Sequence, residues 1–313
     1  MSGLISSQKP PSHHPFSAAA EAIWIPANAD APTRAVEELE NGKIVMLPYE
    51  PFRLTHEEEA FLNPDCLDPG SKSIKYSPTQ RKIWGAAEQH KNSTALAGLM
   101  ARYADFARDL VNRLLPRYSA ALIIGNGSLR PVEVEGRVQS KRHDDRLLHV
   151  DSFPSRPTQG KRILRIFANV DPSGKTRHWQ VGEPFADVAA RFAPRISAPF
   201  PGSALLMRLL RITKEKRSPY DHYMLHIHDQ MKLDDEYQAA ASRSDIHFPA
   251  GSTWIAFTDQ VSHAALSGQH AMEQTFFLPS DAMRNPLLSP LRVLEALGCP
   301  TLRGLTAKGG REG

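Results

Sequence analysis

From Ser119 to Leu278 the chain reads as a series of short apolar or alternating segments, each closed by Gly, Pro, Asp or Ser. Alternation sends successive side chains to opposite faces, so such segments are stable only when stacked into sheets with a buried side. Residues 120–124, 132–134, 147–151, 163–170, 177–181, 223–228, 253–257 and 273–278 are the predicted strands. Two helical insertions interrupt them, at 186–192 and 203–210. There is no internal repeat. Many short strands in series favour a sandwich or jelly roll over a parallel sheet. The expected class is therefore mainly β with flanking helices.

The flanks read differently. Leu96, Leu99, Met100, Tyr103, Phe106, Leu110 and Leu114 recur at three- and four-residue spacing, which predicts a helix over 93–115 that Pro116 ends. A late helix begins at Ser289-Pro290 and stops at Gly298. Residues 1–15 and 305–313 are polar and rich in Pro, Ser or Gly and are read as disordered tails. The span 16–304 is read as one domain. It has a mixed, partly helical portion over 16–118, a jelly-roll core over 119–280 and a C-terminal helix within 281–304.

Composition narrows the setting. Hydrophobic residues make up 41 % of 313, enough for a sizeable core. No run reaches the roughly 20 apolar residues of a membrane span, and the first residues lack a secretory apolar stretch. Cys66 and Cys299 fit reduced thiols of a cytoplasmic protein. A net charge of +4 is no nucleic-acid signature. The basic runs at 137–142 and 211–217 read either as solvated surface or as attraction to an anionic partner or membrane face.

Against this background one triplet stands out, His149-Val150-Asp151, with His263 far downstream. A His and an Asp two apart on a strand share a side. With a third ligand from a distant strand they form the two-histidine, one-carboxylate set that holds non-haem Fe(II) and leaves positions open. About one His-x-Asp arises by chance in such a chain, and a second copy exists at His143-Asp144-Asp145. That copy sits in a charge run read as solvated. The first lies between Leu148, Val150 and Phe153, where a His and an Asp need a metal or each other. The block from Phe248 to Ala265, with a Pro-Ala-Gly turn, an aromatic strand, a polar turn and then His263, has the layout of a distal iron ligand in jelly-roll oxygenases. His270 is a rival ligand in what reads as a turn.

Oxygenases of this kind take 2-oxoglutarate, whose distal carboxylate needs a fixed cation, best a forked arginine. The usual place, about ten residues past the distal His, is Gln274 here. Arg177 shares a predicted strand face with Trp179 and Val181, and Arg165 lies within a buried-looking strand; either would serve or would pair with a core carboxylate. Arg130 is a candidate for the mouth. Gly125-Asn126-Gly127 lacks the following helix of a nucleotide loop, and His226-Ile227-His228-Asp229 is read as a half-exposed strand bordering the pocket.

The chain resembles the Kdo 3-hydroxylases, Fe(II)/2-oxoglutarate dioxygenases of Gram-negative lipopolysaccharide assembly. The resemblance is carried by His149-Val150-Asp151-Ser152-Phe153-Pro154-Ser155-Arg156-Pro157, by residues 162–172, by Arg177-His178-Trp179-Gln180-Val181-Gly182-Glu183-Pro184 and by residues 248–277. It implies a double-stranded β-helix in which His149, Asp151 and His263 hold iron. Arg177 would grip 2-oxoglutarate, with Trp179, Arg165, Arg130 and Gln274 lining the site. The implied reaction uses O₂ to hydroxylate C3 of the outer Kdo sugar of Kdo2-lipid A, releasing succinate and CO₂, at the cytoplasmic face of the inner membrane. The residues alone leave two alternatives open: an oxygenase of a protein or small molecule, and a non-catalytic cupin-like metal-binding module.

Overall fold

Eleven strands form two sheets in the computed structural model, which describes residues 21–299 except 26–28, 49, 137–138, 200–207 and 211–212. In chain order these are β1 (Ala22–Trp24), β2 (Ile44–Leu47), β3 (Ile74–Ser77), β4 (Lys82–Trp84), β5 (Ile123–Arg130) and β6 (Arg162–Asn169). They continue with β7 (Arg177–Val181), β8 (Ser244–Phe248), β9 (Thr253–Phe257), β10 (His263–Ser267) and β11 (Ala271–Leu278). The major sheet runs β1-β2-β9-β6-β11-β5-β3-β4, and the minor sheet β10-β7-β8. Every pairing is antiparallel except β1 with β2. The result is a jelly-roll core extended at both edges of its large sheet.

The two faces of the major sheet follow from strand alternation. One face is covered by α1 (Ala31–Glu40) and α2 (Thr94–Leu114), whose apolar stripes close over Ile166, Ile255, Phe257 and Phe276. Ser93 caps α2 by accepting the Leu96 N–H, and Tyr103 from its middle donates to the carbonyls of Ile166 and Met272. The other face looks toward the minor sheet across an aromatic layer. Phe167 and Trp254 stack with centroids 5.2 Å apart, Phe248 and Trp254 at 4.0 Å, and Trp179 meets Trp254 edge-on at 5.7 Å.

A short α3 (Pro116–Ser119) follows α2. The minor sheet is backed by α4 (Phe185–Phe192), α5 (Pro219–Leu233), α6 (Asp235–Ala240) and α7 (Pro290–Ala296). Their buried side chains surround Leu148, Val150 and Ala264. Leu148 and Val150 therefore face the helices while His149 and Asp151 face inward.

Several expectations change. Residues 223–228 belong to helix α5, not to a strand. Ser218 and Asp221 form a capping box, Pro219 opens the first turn, and Tyr220, Tyr223, Met224, Ile227 and Met231 make the buried stripe. Segment 147–151 is extended but joins the minor sheet through one bridge, His149 to His263. Residues 132–134 form no strand, and the strand expected at 120–124 begins at Ile123 and continues through Gly125-Asn126-Gly127. A Cβ at Gly127 would sit 2.8 Å from Gln274 Oε1, so a larger residue there would displace that side chain. The strands β1, β2, β3, β4 and β8 were not among those expected. The tails 1–15 and 305–313, and most of the helix expected at 203–210, lie outside the described residues.

The turn between β9 and β10 is anchored by a buried ion pair. Arg162 Nε donates to Asp259 Oδ2 at 2.8 Å, Arg162 Nη2 reaches Gln260 Oε1 at 2.6 Å, and the guanidinium lies 4.0 Å from the Phe257 ring centroid. Arg162 is 0 % and Asp259 1 % exposed. Removing one partner strands a charge in the core, so Asp259→Ala is expected to cost about 3–5 kcal/mol. The double change Arg162→Met, Asp259→Leu should cost less. Urea unfolding midpoints of the two variants check the order.

Candidate active site

The reciprocal main-chain bonds His149 N to His263 O (3.0 Å) and His263 N to His149 O (2.9 Å) bring the two histidines side by side. Each ring is oriented the same way. His149 Nδ1 lies 2.8 Å from Leu147 O and His263 Nδ1 lies 2.8 Å from Val261 O. A Nδ1–H donated to a carbonyl leaves the Nε2 lone pair free to bind a metal. The His263 ring also stacks on Trp179 at 5.1 Å. Two residues beyond His149, Asp151 is fixed by its N–H donating to Thr258 O at 2.7 Å. One potential ligand atom from each of His149, Asp151 and His263 lies within 4.8 Å of the others.

Burial shapes the protonation of this cluster. It pushes both histidines down, His149 well below its ordinary value with Lys232 and His263 adding to the effect. Both imidazoles are therefore neutral, the form that ligates. Burial would raise the Asp151 carboxyl, but the neighbouring Arg165 guanidinium outweighs it and holds the group ionised. Asp151 Oδ2 sits 3.3 Å from Arg165 Nη1 without a well-aligned hydrogen bond.

The triad opens on a small cavity lined by Arg130, Arg165, Arg177 and Trp179 together with Asp145 and Phe167. Arg177 is buried on β7, which shows the expected alternation. Its Nη1 donates to Gly268 O at 2.8 Å, and burial followed by Arg130 lowers its pKa to about 10, so it stays charged at neutral pH. Gly268 has φ +111°, and a Cβ there would meet Arg177 Cγ at 2.8 Å. Arg177 Nε, Arg165 Nε and Trp179 Nε1 are buried donors with no acceptor among the described residues. Donors left unpaired in one cavity fit a multiply charged oxygen ligand.

Gln274 is not brought to this site. Its register partners are Gly127 and Ile166, on the face under α2, and its amide donates to Gly125 O and Thr275 O. The inward residue is its neighbour Glu273, which takes Arg130 at 3.1 Å and Arg165 at 3.6 Å. Burial would raise Glu273, but Arg130 and Arg165 keep it ionised. Alternation through Glu273, Thr275 and Phe277 was the available signal.

Other corrections come from long-range contacts. Asp145, at the end of the charge run read as solvated, lies 3.5 Å from Arg130 and 4.0 Å from the buried Lys232. Lys232 and His228 reach the site from α5, with the His228 ring 5.4 Å from that of His149. His270 is held by Asp171 at 2.9 Å and takes no part in the cluster.

Fold and site together define a class. A jelly roll carrying a buried two-histidine, one-carboxylate cluster beside a cationic cavity has the build of the non-haem Fe(II) oxygenases. Residues 24–300 match the family model for 3-deoxy-D-manno-oct-2-ulosonic acid (Kdo) hydroxylase. Solved structures of the Kdo hydroxylase KdoO, a non-haem Fe(II) alpha-ketoglutarate-dependent dioxygenase, are similar throughout. The complex with alpha-ketoglutarate and Fe(III) is 43 % identical, with 88 % of this chain and 95 % of that one covered and a TM-score of 0.84. The apo form is 41 % identical over 93 % and 100 %, TM-score 0.88. The cobalt(II) complex is 42 % identical over 93 % and 99 %, TM-score 0.87. No curated protein sequence matches. The chain belongs to the Kdo hydroxylase family.

Asp151→Ala removes the anionic ligand and leaves the His149–His263 bridge in place. The variant is expected to keep the wild-type circular dichroism and lose stoichiometric binding of Co(II), read by visible absorption of the titrated protein.

Proposed function

We propose that the protein is an Fe(II)/2-oxoglutarate-dependent dioxygenase that hydroxylates C3 of the outer Kdo of Kdo2-lipid A. The observation that carries the proposal is the buried triad opening directly onto the unpaired donors of Arg177, Arg165 and Trp179, in a member of the Kdo hydroxylase family.

The donor set fits the metal: two neutral imidazoles with Nε2 free and one ionised carboxylate. Bound Fe(II) supplies the O₂ activation that side chains cannot. The protein's part is positioning. His149, Asp151 and His263 would hold the metal as a two-histidine, one-carboxylate set, which leaves positions for cosubstrate and oxygen. Arg177 takes the distal carboxylate of 2-oxoglutarate, while Trp179 and Arg165 offer their remaining N–H groups to the same ligand. Arg165 also neutralises Asp151 and, with Arg130, Glu273, so that charge is balanced before the cosubstrate arrives. With His149 and His263 each 5 % exposed, water is largely excluded from the reacting centre. In the overall reaction 2-oxoglutarate loses CO₂ to become succinate, and one oxygen atom enters the C3–H bond of the sugar.

On this reading the substrate is held by its lipid in a membrane, and the reaction takes place at the cytoplasmic face of the inner membrane. No helix among the described residues is long and apolar enough to cross a membrane. Exposed Lys216 offers an anionic headgroup a contact worth about 1 kcal/mol.

The direct test incubates purified protein with Kdo2-lipid A, Fe(II), 2-oxoglutarate and air, followed by mass spectrometry. One added oxygen, absent without iron or 2-oxoglutarate, is the expected result. Succinate without oxygen addition would retain the oxygenase and remove this substrate. Gly268→Ala, which crowds Arg177, should raise the KM for 2-oxoglutarate about tenfold or more while stoichiometric Co(II) binding persists. Steady-state kinetics with 2-oxoglutarate varied will measure it.

A further inference from the structure

Next to the triad cavity, the inward face of the major sheet continues into an open cleft of about 460 Å³. A single line of register partners crosses it. Trp84 faces Lys75 in the β3–β4 hairpin, Lys75 faces Ser128, Ser128 faces Glu273, and Glu273 faces Phe167. Directly opposed residues share a face, so this row runs from the aromatic layer beside the triad outward to Lys75 and Trp84. Lys75 lies two strands from Glu273, roughly 10 Å at ordinary strand spacing. The opposite wall is the chain leaving Asp151, from Phe153 to Arg156. It is held by Lys214 N donating to Ser155 O at 3.0 Å and Arg217 Nη2 donating to Pro154 O at 2.9 Å.

The cations of this cleft fall into two tiers. The inner pair, Arg130 and Arg165, is matched to Glu273 and Asp151. The outer three, Lys75, Arg156 and Lys214, line the same cleft and have no carboxylate within ion-pair distance among the described residues. Trp84 stands among them, with the Arg156 guanidinium 5.8 Å from its ring centroid. Unmatched cations grouped around a half-buried aromatic face suit a ligand that is both anionic and ring-shaped. None of the three lines the cavity onto which the triad opens.

We propose that the outer tier is a second sugar-acid subsite. The ring to be oxidised sits at the inner tier, beside Arg165 and Glu273. The carboxylate of the adjoining acidic sugar is bound by Arg156, Lys75 and Lys214, and that sugar's apolar face rests on Trp84. The enzyme then reads a disaccharide of two acid sugars, and the neighbour's charge sets the position of the reacting ring. This rests on the proposed Kdo reading, and it assigns specificity to residues outside the metal and cosubstrate site.

The experiment compares three substrates: Kdo2-lipid A, the phosphate-free Kdo disaccharide glycoside, and that glycoside with only the inner-ring carboxylate converted to its methyl ester. Each is assayed with wild type, Arg156→Gln, Lys75→Gln and, as control, Lys82→Gln on the hairpin strand outside the cleft. In wild type, esterification should lower kcat/KM about ten- to a hundredfold, chiefly through KM, the range for one charge-assisted contact. Arg156→Gln and Lys75→Gln should lose about tenfold or more on the acid and change little on the ester. The KM for 2-oxoglutarate should not move, and Lys82→Gln should match wild type.

Equal losses on acid and ester would mean a structural role and overturn the inference, as would wild-type indifference to the ester. A loss confined to the phosphorylated glycolipid would assign the cations to phosphate instead. Turnover of the glycolipid but of neither disaccharide also overturns the inference alone. No oxidation of any of the three, with succinate still formed, would overturn the Kdo reading itself.

Discussion

Two reciprocal hydrogen bonds between the backbones of His149 and His263 are the constraint on which the site depends. They bridge the extended segment around His149 to the minor sheet, with Ala265 N donating to Asp145 O at 2.8 Å beside them. Without them the two histidines, far apart in sequence, have no reason to share a centre. With them, each ring is steered by a carbonyl two residues upstream, and strand alternation delivers Asp151 to the same side. The surrounding structure holds the bridge in place: Arg162 and Asp259 anchor the turn before His263, Thr258 O receives the Asp151 N–H, and Leu148 and Val150 are packed under the helices.

A buried centre of this kind is stable without its ligands only if its charges are matched. Carboxylates and guanidinium groups alternate around the cavity, Asp145 with Arg130, Glu273 with Arg130 and Arg165, and Asp151 with Arg165. These contacts offset the desolvation of several ions at once. The matching is incomplete at Arg177 Nε, Arg165 Nε and Trp179 Nε1. The same ring of residues thus balances the cavity's carboxylates and carries buried N–H groups that have no acceptor among the described residues.

Much of this was legible in the sequence because it is local. The alternation around His149, the strands at 177–181 and 253–257, and the stripe of α2 depend on neighbours a few residues apart, and all appear as expected. Segment 223–228 was misread as a strand because Tyr223, Leu225 and Ile227 also satisfy a period of two. The capping box at Ser218 and the spacing of Tyr220, Tyr223, Met224, Ile227 and Met231 carry the helical signal. Gln274 illustrates a different failure. Counting from His263 locates the right strand, but a one-residue difference in register reverses the face, so Glu273 points inward and Gln274 outward. Asp145 and Lys232 reach the site through tertiary contacts that periodicity does not encode.

On the proposed reading His149, Asp151 and His263 hold a metal with adjacent positions open to a keto acid. Anaerobic visible absorption of the Fe(II)-loaded protein reports that arrangement. On adding 2-oxoglutarate, a charge-transfer band should appear, bleach when air is admitted, and be absent from protein carrying His263→Ala. A band that survives that substitution, or no band in wild type with iron bound, would contradict the account.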